Sequence, residues 1–138
     1  IGEDYVNLCP MKTKLFPFVI EVLEYLFKKY SLHIITNGFE KVQHIKLKHS
    51  DLQKYFQHII TSEQVGVKKP NPKIFEFALK CAGAHKEESV YIGDDLIVDI
   101  MGCQNYGING VYFNPDVIQH EENLKYEIRC LSELKDLF

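Results

Sequence analysis

Three short stretches of this 138-residue sequence gather side chains able to act on an anion. The richest is Gly93-Asp94-Asp95-Leu96-Ile97-Val98-Asp99, directly after the apolar run Val90-Tyr91-Ile92. Carboxylates clustered at a strand end repel one another, and a cation between them relieves that repulsion. Oxygen-only ligands select Mg²⁺ or Ca²⁺, and Mg²⁺ is the usual companion of phosphate chemistry. The competing use is structural: Asp95 or Asp99 can cap the helix that begins near Leu96. The second stretch, Gly66-Val67-Lys68-Lys69-Pro70-Asn71-Pro72, sets two lysines against two prolines. Pro70 and Pro72 limit backbone freedom, so a lysine there becomes a fixed positive charge for a phosphoryl group. Taken alone, a loop lysine is more commonly just solvated. The third stretch is Thr36-Asn37-Gly38, after Leu32-His33-Ile34-Ile35. A hydroxyl and free backbone N–H groups suit an anionic oxygen, and Gly38 lets the backbone come close to it. Capping of the next helix by Thr36 or Asn37 is the commoner use of such residues.

The elements that must hold these stretches alternate between helical and extended periods. Pro17 to Tyr30 has apolar residues at three- and four-residue steps and predicts a helix. Residues 32–35 predict a strand, and residues 39–49 a polar helix with Val42, Ile45 and Leu47 facing inward. A strand is expected at 58–60, then a loop from Thr61 to Pro72. Residues 73–81 predict a helix with Ile74, Phe75, Ala78 and Leu79 inward, and Gly83 suits its end. A strand at 89–93, a helix at 97–106, a strand at 111–113 and a short helix at 132–138 complete the pattern. This alternation argues for an α/β fold with a parallel sheet and crossover helices. Such folds bind ligands at the carboxyl ends of their strands, where all three stretches fall. Residues 1–16 match neither period and read as a linker or the remnant of another domain.

Composition excludes several classes. The chain has 46% hydrophobic and 25% charged residues and a formal net charge of −3. That is ordinary for a globular domain and gives no basic face for nucleic acid. No apolar run approaches the ~20 residues of a membrane helix. The six histidines do not cluster. The four cysteines (Cys9, Cys81, Cys103, Cys130) form no C-x-x-C pair, which predicts reduced thiols and a cytoplasmic location.

In this order and on successive strands, the three stretches resemble the second, third and fourth motifs of the haloacid dehalogenase (HAD) superfamily. The residues that carry the likeness are Thr36-Asn37-Gly38, then Gly66-x-x-Lys69-Pro70-x-Pro72-x-Ile74-Phe75, then Gly93-Asp94-x-x-x-x-Asp99. Ile34-Ile35-Thr36-Asn37-Gly38-Phe39 and Ser62-Glu63-Gln64-Val65-Gly66-Val67 are most similar to the pyrimidine-nucleotide 5′-nucleotidases within it. The resemblance implies a three-layer Rossmann-like core over 17–138. It implies Mg²⁺-dependent cleavage of a small phosphate monoester, a nucleoside 5′-monophosphate being the expected substrate. Thr36 would hydrogen-bond a phosphoryl oxygen together with the backbone at Asn37 and Gly38, and Lys69 would balance charge on the nucleophile and the phosphoryl group. Asp94 and Asp99 are the implied metal residues, with Asp99 also able to orient Lys69; Asp95 ranks below them.

The family's nucleophile lies in a first motif, Asp-x-Asp, and this chain contains none. The first strand and most of the cap domain are therefore expected upstream of Ile1, and the chain alone is expected to be inactive. An incomplete sheet would leave a slot between the strands ending at Thr36 and Gly93. The missing N-terminal segment, or a second copy, could fill it. Phosphoglycolate phosphatases and 2-haloacid dehalogenases share the skeleton, but dehalogenases need no Mg²⁺, and Asp94 and Asp99 argue for a metal. A non-catalytic module sensing Mg²⁺ or phosphate is the alternative of another class.

Overall fold

The computed structural model describes residues 5–6, 18–49 and 51–138. Of the stretch read as a linker or cap remnant, all but Tyr5 and Val6 lies outside the described residues, as do Cys9 and the expected helix start at Pro17. In chain order the elements are β1 (Tyr5–Val6), α1 (Val19–Phe27), β2 (His33–Thr36), α2 (Glu40–His49), β3 (His58–Thr61), α3 (Ser62–Val65) and α4 (Pro72–Ala82). There follow β4 (Val90–Gly93), a π-helical turn (Leu96–Met101) continuing into α5 (Gly102–Tyr106), β5 (Asn109–Phe113), β6 (Tyr126–Ile128) and α6 (Leu134–Leu137).

Every strand pair is parallel. One group runs β1-β4-β5-β6, and the other pairs β2 with β3. The slot beside β4 is occupied from within the chain: Tyr5 and Val6 pair with Tyr91 and Ile92, and β1 also lies against β2. The edge of β4 thus needs no strand from a second copy.

Alternation along the buried strands separates two cores. Ile34, Ile92, Val111 and Phe113 point to one face, where they meet Val19, Val22, Leu23 and Leu26 of α1 and Leu134 of α6. Ile35, Ile60 and Tyr91 point to the other face and pack on Ile74, Phe75, Ala78 and Leu79 of α4. The period of two places neighbours on opposite faces, and helices on both faces explain the unbroken apolar runs. Each fully buried Leu, Ile or Phe contributes about 1.5–3 kcal/mol. The helix expected at 73–81 is α4, with all four inward residues buried and Gly83 left-handed at its end. Pro72 sits in its first turn and the Asn71 side chain accepts from the Lys73 N–H, the arrangement that starts a helix firmly.

Three expectations change. Residues 61–72 are not all loop: Thr61 Oγ1 accepts the Gln64 N–H at 3.1 Å and starts α3. The run 126–128, not expected as a strand, adds β6 to the sheet. On α2 only Leu47 of the three expected inner residues is buried, while Val42 and Ile45 are 40% and 48% exposed. Cys81, Cys103 and Cys130 are free thiols. Among the described residues no helix is long and apolar enough to cross a membrane.

Candidate active site at the strand ends

Lys69 is the centre of the arrangement. It is 7% exposed, and its ammonium lies 2.6 Å from Asp99 Oδ1 and 2.8 Å from the Tyr91 hydroxyl. Tyr91 in turn lies 3.2 Å from Asp99 Oδ1 and 3.4 Å from the Ile35 carbonyl. A buried charge is tolerated only when paired and hydrogen-bonded, and here the partners come from β2, β4 and the π-helical turn. An ammonium has three donors. Two are engaged by Tyr91 and Asp99, which leaves one for a further oxygen among the described residues.

The loop that presents Lys69 is fixed by Asn37. Its side-chain oxygen accepts the Lys69 N–H at 2.8 Å, and its amide donates to the Lys69 carbonyl at 3.2 Å. The Lys69–Pro70 peptide is cis. Behind it, a Cβ on Gly102 would stand 2.8 Å from Pro70 Cβ, so the loop seats directly on a bare backbone. The Asn37 side chain thus ties the third stretch to the second at the Lys69 backbone. Thr36 is 5% exposed, and its hydroxyl accepts the Gly38 N–H at 3.1 Å, closing the turn after β2. Ser62 Oγ donates to the Asn37 carbonyl at 3.1 Å and holds that turn from α3.

The three aspartates divide their work. Asp95 Oδ1 accepts from the N–H groups of Ile97 and Val98 at 3.1 and 2.8 Å, so Asp95 caps the π-helical turn. Asp99 is 2% exposed; besides Lys69 and Tyr91, its Oδ2 accepts the Asp95 N–H at 3.2 Å. Asp99 reaches that place because Gly93 has no side chain: a Cβ there would fall 2.5 Å from Asp99 Cβ. The Ile100 N–H bonds to the Asp95 carbonyl at 3.2 Å, the five-residue step of a π-bulge. Such bulges are common at functional sites. Asp94, at the carboxyl end of β4, is half-buried and has no hydrogen-bond partner among the described residues.

Among the described residues, no three His, Cys, Asp or Glu side chains are grouped to hold a metal ion. Mg²⁺ retains waters and commonly binds through one or two carboxylates with substrate oxygens completing the shell. Asp94 fits that use, whereas Asp95 and Asp99 are committed to the cap and to Lys69. Cys103 is no nucleophile: burial, reinforced by Asp99, pushes its thiol up to about 12, and it is fully enclosed.

Tyr91 and Ser62 were not singled out from the sequence. A tyrosine inside an otherwise aliphatic buried strand was the available signal, since a buried hydroxyl needs a partner. Ser62 carried no comparable mark.

A parallel α/β sheet with a lysine–aspartate pair buried at its strand ends, beside a Thr-Asn-Gly turn, defines a strand-end site of the hydrolase type. The chain belongs to the haloacid dehalogenase-like hydrolase family, whose model matches residues 4–113. It is 31% identical over 140 residues to the pyrimidine 5′-nucleotidase YjjG of Escherichia coli K12, covering 99% of this chain and 62% of that protein. It is 42% identical over 113 residues to the glyceraldehyde 3-phosphate phosphatase of Pyrococcus furiosus, covering 78% of this chain and 47% of the relative. The crystal structure of the HAD-hydrolase YfnB from Bacillus subtilis bound to magnesium superposes with a TM-score of 0.85 at 30% identity, over 93% of this chain and 56% of that one. The chain thus spans between 47% and 62% of the length of these three proteins.

Proposed function

We propose that the whole protein is a Mg²⁺-dependent phosphohydrolase that cleaves a small phosphate monoester, a nucleoside 5′-monophosphate first among candidates. The observation that carries this reading is the buried Lys69 ammonium, held by Asp99 and Tyr91 and retaining one donor, beside the Thr36-Asn37-Gly38 turn. Phosphoryl transfer needs fixed donors and charge more than it needs new covalent chemistry from the protein. Lys69 would hold one phosphoryl oxygen and the attacking carboxylate. Thr36 and the backbone N–H groups of Asn37 and Gly38 would take other phosphoryl oxygens. Asp94 would hold Mg²⁺, which when bound neutralises charge on those oxygens. Asp99 would keep Lys69 aimed. The attacking aspartate lies outside this chain, which has no Asp-x-Asp. It would form an aspartyl-phosphate as the alcohol leaves with a proton, and water would then release phosphate. Residues 17–138 form the family core in this reading.

The name of the E. coli relative, matched over nearly the whole chain, supports a nucleotide. The higher identity to the P. furiosus protein supports a triose phosphate as the second reading. The test is phosphate release by the whole protein from nucleoside monophosphates, glyceraldehyde 3-phosphate and an aryl phosphate, with Mg²⁺ and with chelator. Lys69→Ala and Asp94→Asn should each cost at least about 10²-fold in kcat, and chelation should abolish turnover. The isolated 138-residue chain should release none. Turnover that ignores Mg²⁺, or turnover by the isolated chain, sinks the mechanism.

A further inference from the structure

Asn37 and Gly38 have a second face. Away from Lys69 they form one wall of a cleft of about 550 Å³, a size usual for small-molecule sites. Phe39, Val42 and Val67 give it an apolar lining, and Glu63 and Lys68 add charge. Phe39, directly before α2, is 70% exposed. Its ring stands three residues from the Thr36 hydroxyl, on the same turn.

We propose that this cleft is the leaving-group subsite and takes a planar nitrogen heterocycle stacked on Phe39. The inference rests on the phosphohydrolase reading, since it assigns the non-phosphate half of the same substrate. An aromatic ring left in the open beside an anion-binding turn is a stacking platform, as every base has a π-face. Its polar lining includes an acceptor, Glu63, and a donor, Lys68. A heterocycle edge with amide-like donors and acceptors satisfies both. A second phosphate or carboxylate would match Lys68 but meet the Glu63 carboxylate. A three-carbon chain offers no ring to cover Phe39, Val42 and Val67. The phosphate would sit on one side of Asn37 and the ring on the other.

The experiment uses the isotope-labelled whole protein with Mg²⁺, titrated separately with uridine and with inorganic phosphate while chemical shifts are followed. Uridine should move Phe39, Val42 and Val67; phosphate should move Thr36, Gly38 and Lys69. Phe39→Ala should weaken uridine at least about tenfold and leave the phosphate response intact, and Phe39→Trp should restore uridine. Because Phe39 is exposed, the spectrum of the Ala variant should otherwise match the parent's. Phosphate shifts without any uridine response at the cleft overturn the subsite and leave the phosphohydrolase reading standing. Uridine shifts without phosphate shifts leave a heterocycle site at the cleft but overturn its assignment as a leaving-group subsite, together with the phosphohydrolase reading. No response to either overturns both.

Discussion

Asn37 stands between two regions built on opposite principles. Lys69 and Lys68 are adjacent in sequence, yet Lys69 is 7% exposed and Lys68 belongs to the exposed surface. Around Lys69, buried Tyr91 and Asp99 and half-buried Asn37 are hydrogen-bonded to it, and the bare backbone at Gly93 and Gly102 allows the close approach. Around Lys68, Phe39 and Val42 face outward, and the turn is firm only where Ser62 and Thr36 hold it. The contrast follows from what each side would be asked to do. Donors that stabilise a phosphoryl group must be held within about 0.5 Å, so they are over-determined. A surface that sorts leaving groups gains from being changeable, and exposed side chains change at little cost to the fold.

The largest effect should come from breaking the buried pair. Lys69→Ala removes the cation from beside the buried Asp99 carboxylate, and Asp99→Ala strands the ammonium; each should cost about 3–5 kcal/mol. The double change Lys69→Met with Asp99→Leu should recover much of that loss, because it removes both charges together. Urea midpoints read all three. Single variants as stable as the parent would show that the region around Lys69 is not the rigid one.

A second route to the same region is Gly93→Ala. Its Cβ would fall 2.6 Å from Asp99 Oδ2 and 2.7 Å from Asp99 Cγ, and overpacking of this kind costs about 1–3 kcal/mol. The loss should be accompanied by displacement of the Asp99 and Tyr91 resonances. Lys68→Ala, on the other side of Asn37, should do neither.

Much of this arrangement was legible in the sequence, but unevenly. The apolar positions of α4 sit at 74, 75, 78 and 79, and only one face of a helix accommodates them. Its ends are marked by Asn71-Pro72 and Gly83, whose types are used for physical reasons that survive any tertiary context. Shorter elements have no period to read: α3 is a single turn, and β6 is three residues between polar stretches. Val42 and Ile45 are isolated apolar positions on an otherwise polar helix, and their spacing alone cannot tell whether anything covers them. At the site, residue types pointed to Lys69 and to the carboxylates. Which carboxylate does what depended on a close approach, the Gly93 backbone against Asp99, that no local pattern encodes. Spacing alone groups Asp99 with Asp94; its role beside Lys69 comes from the family resemblance, and in the fold it does grip that lysine, 30 residues earlier.

The core under β2 supplies a third test, one of pH. His33 is fully buried and stacks on His58 with ring centroids 5.3 Å apart. Burial first, and the charge of His58 second, lower its pKa from 6.5 to about 4. The folded value lies below the unfolded one, so the unfolded chain takes up the proton first as pH falls. Stability should be unaffected above pH 7 and fall through the window from 6.5 to 4, by about 2 kcal/mol at pH 5. His33→Phe should flatten the curve in that window while leaving the Lys69 region intact. A loss of the same size in the variant would assign the acid sensitivity elsewhere.

The smallest effect is the one that sharpens the contrast most. Phe39→Ala removes a large apolar side chain, and in a core that change costs about 3–5 kcal/mol. Phe39 is 70% exposed, so its removal should move the urea midpoint by less than about 0.5 kcal/mol equivalent. Val42→Ala should cost slightly more, since it is 40% exposed and partly packed. A large loss at Phe39 would mean that the ring is structural and that the cleft belongs to the fold. A negligible loss leaves a solvent-facing aromatic beside the Thr36-Asn37-Gly38 turn with no role in stability, and contact with a ligand then accounts for its position.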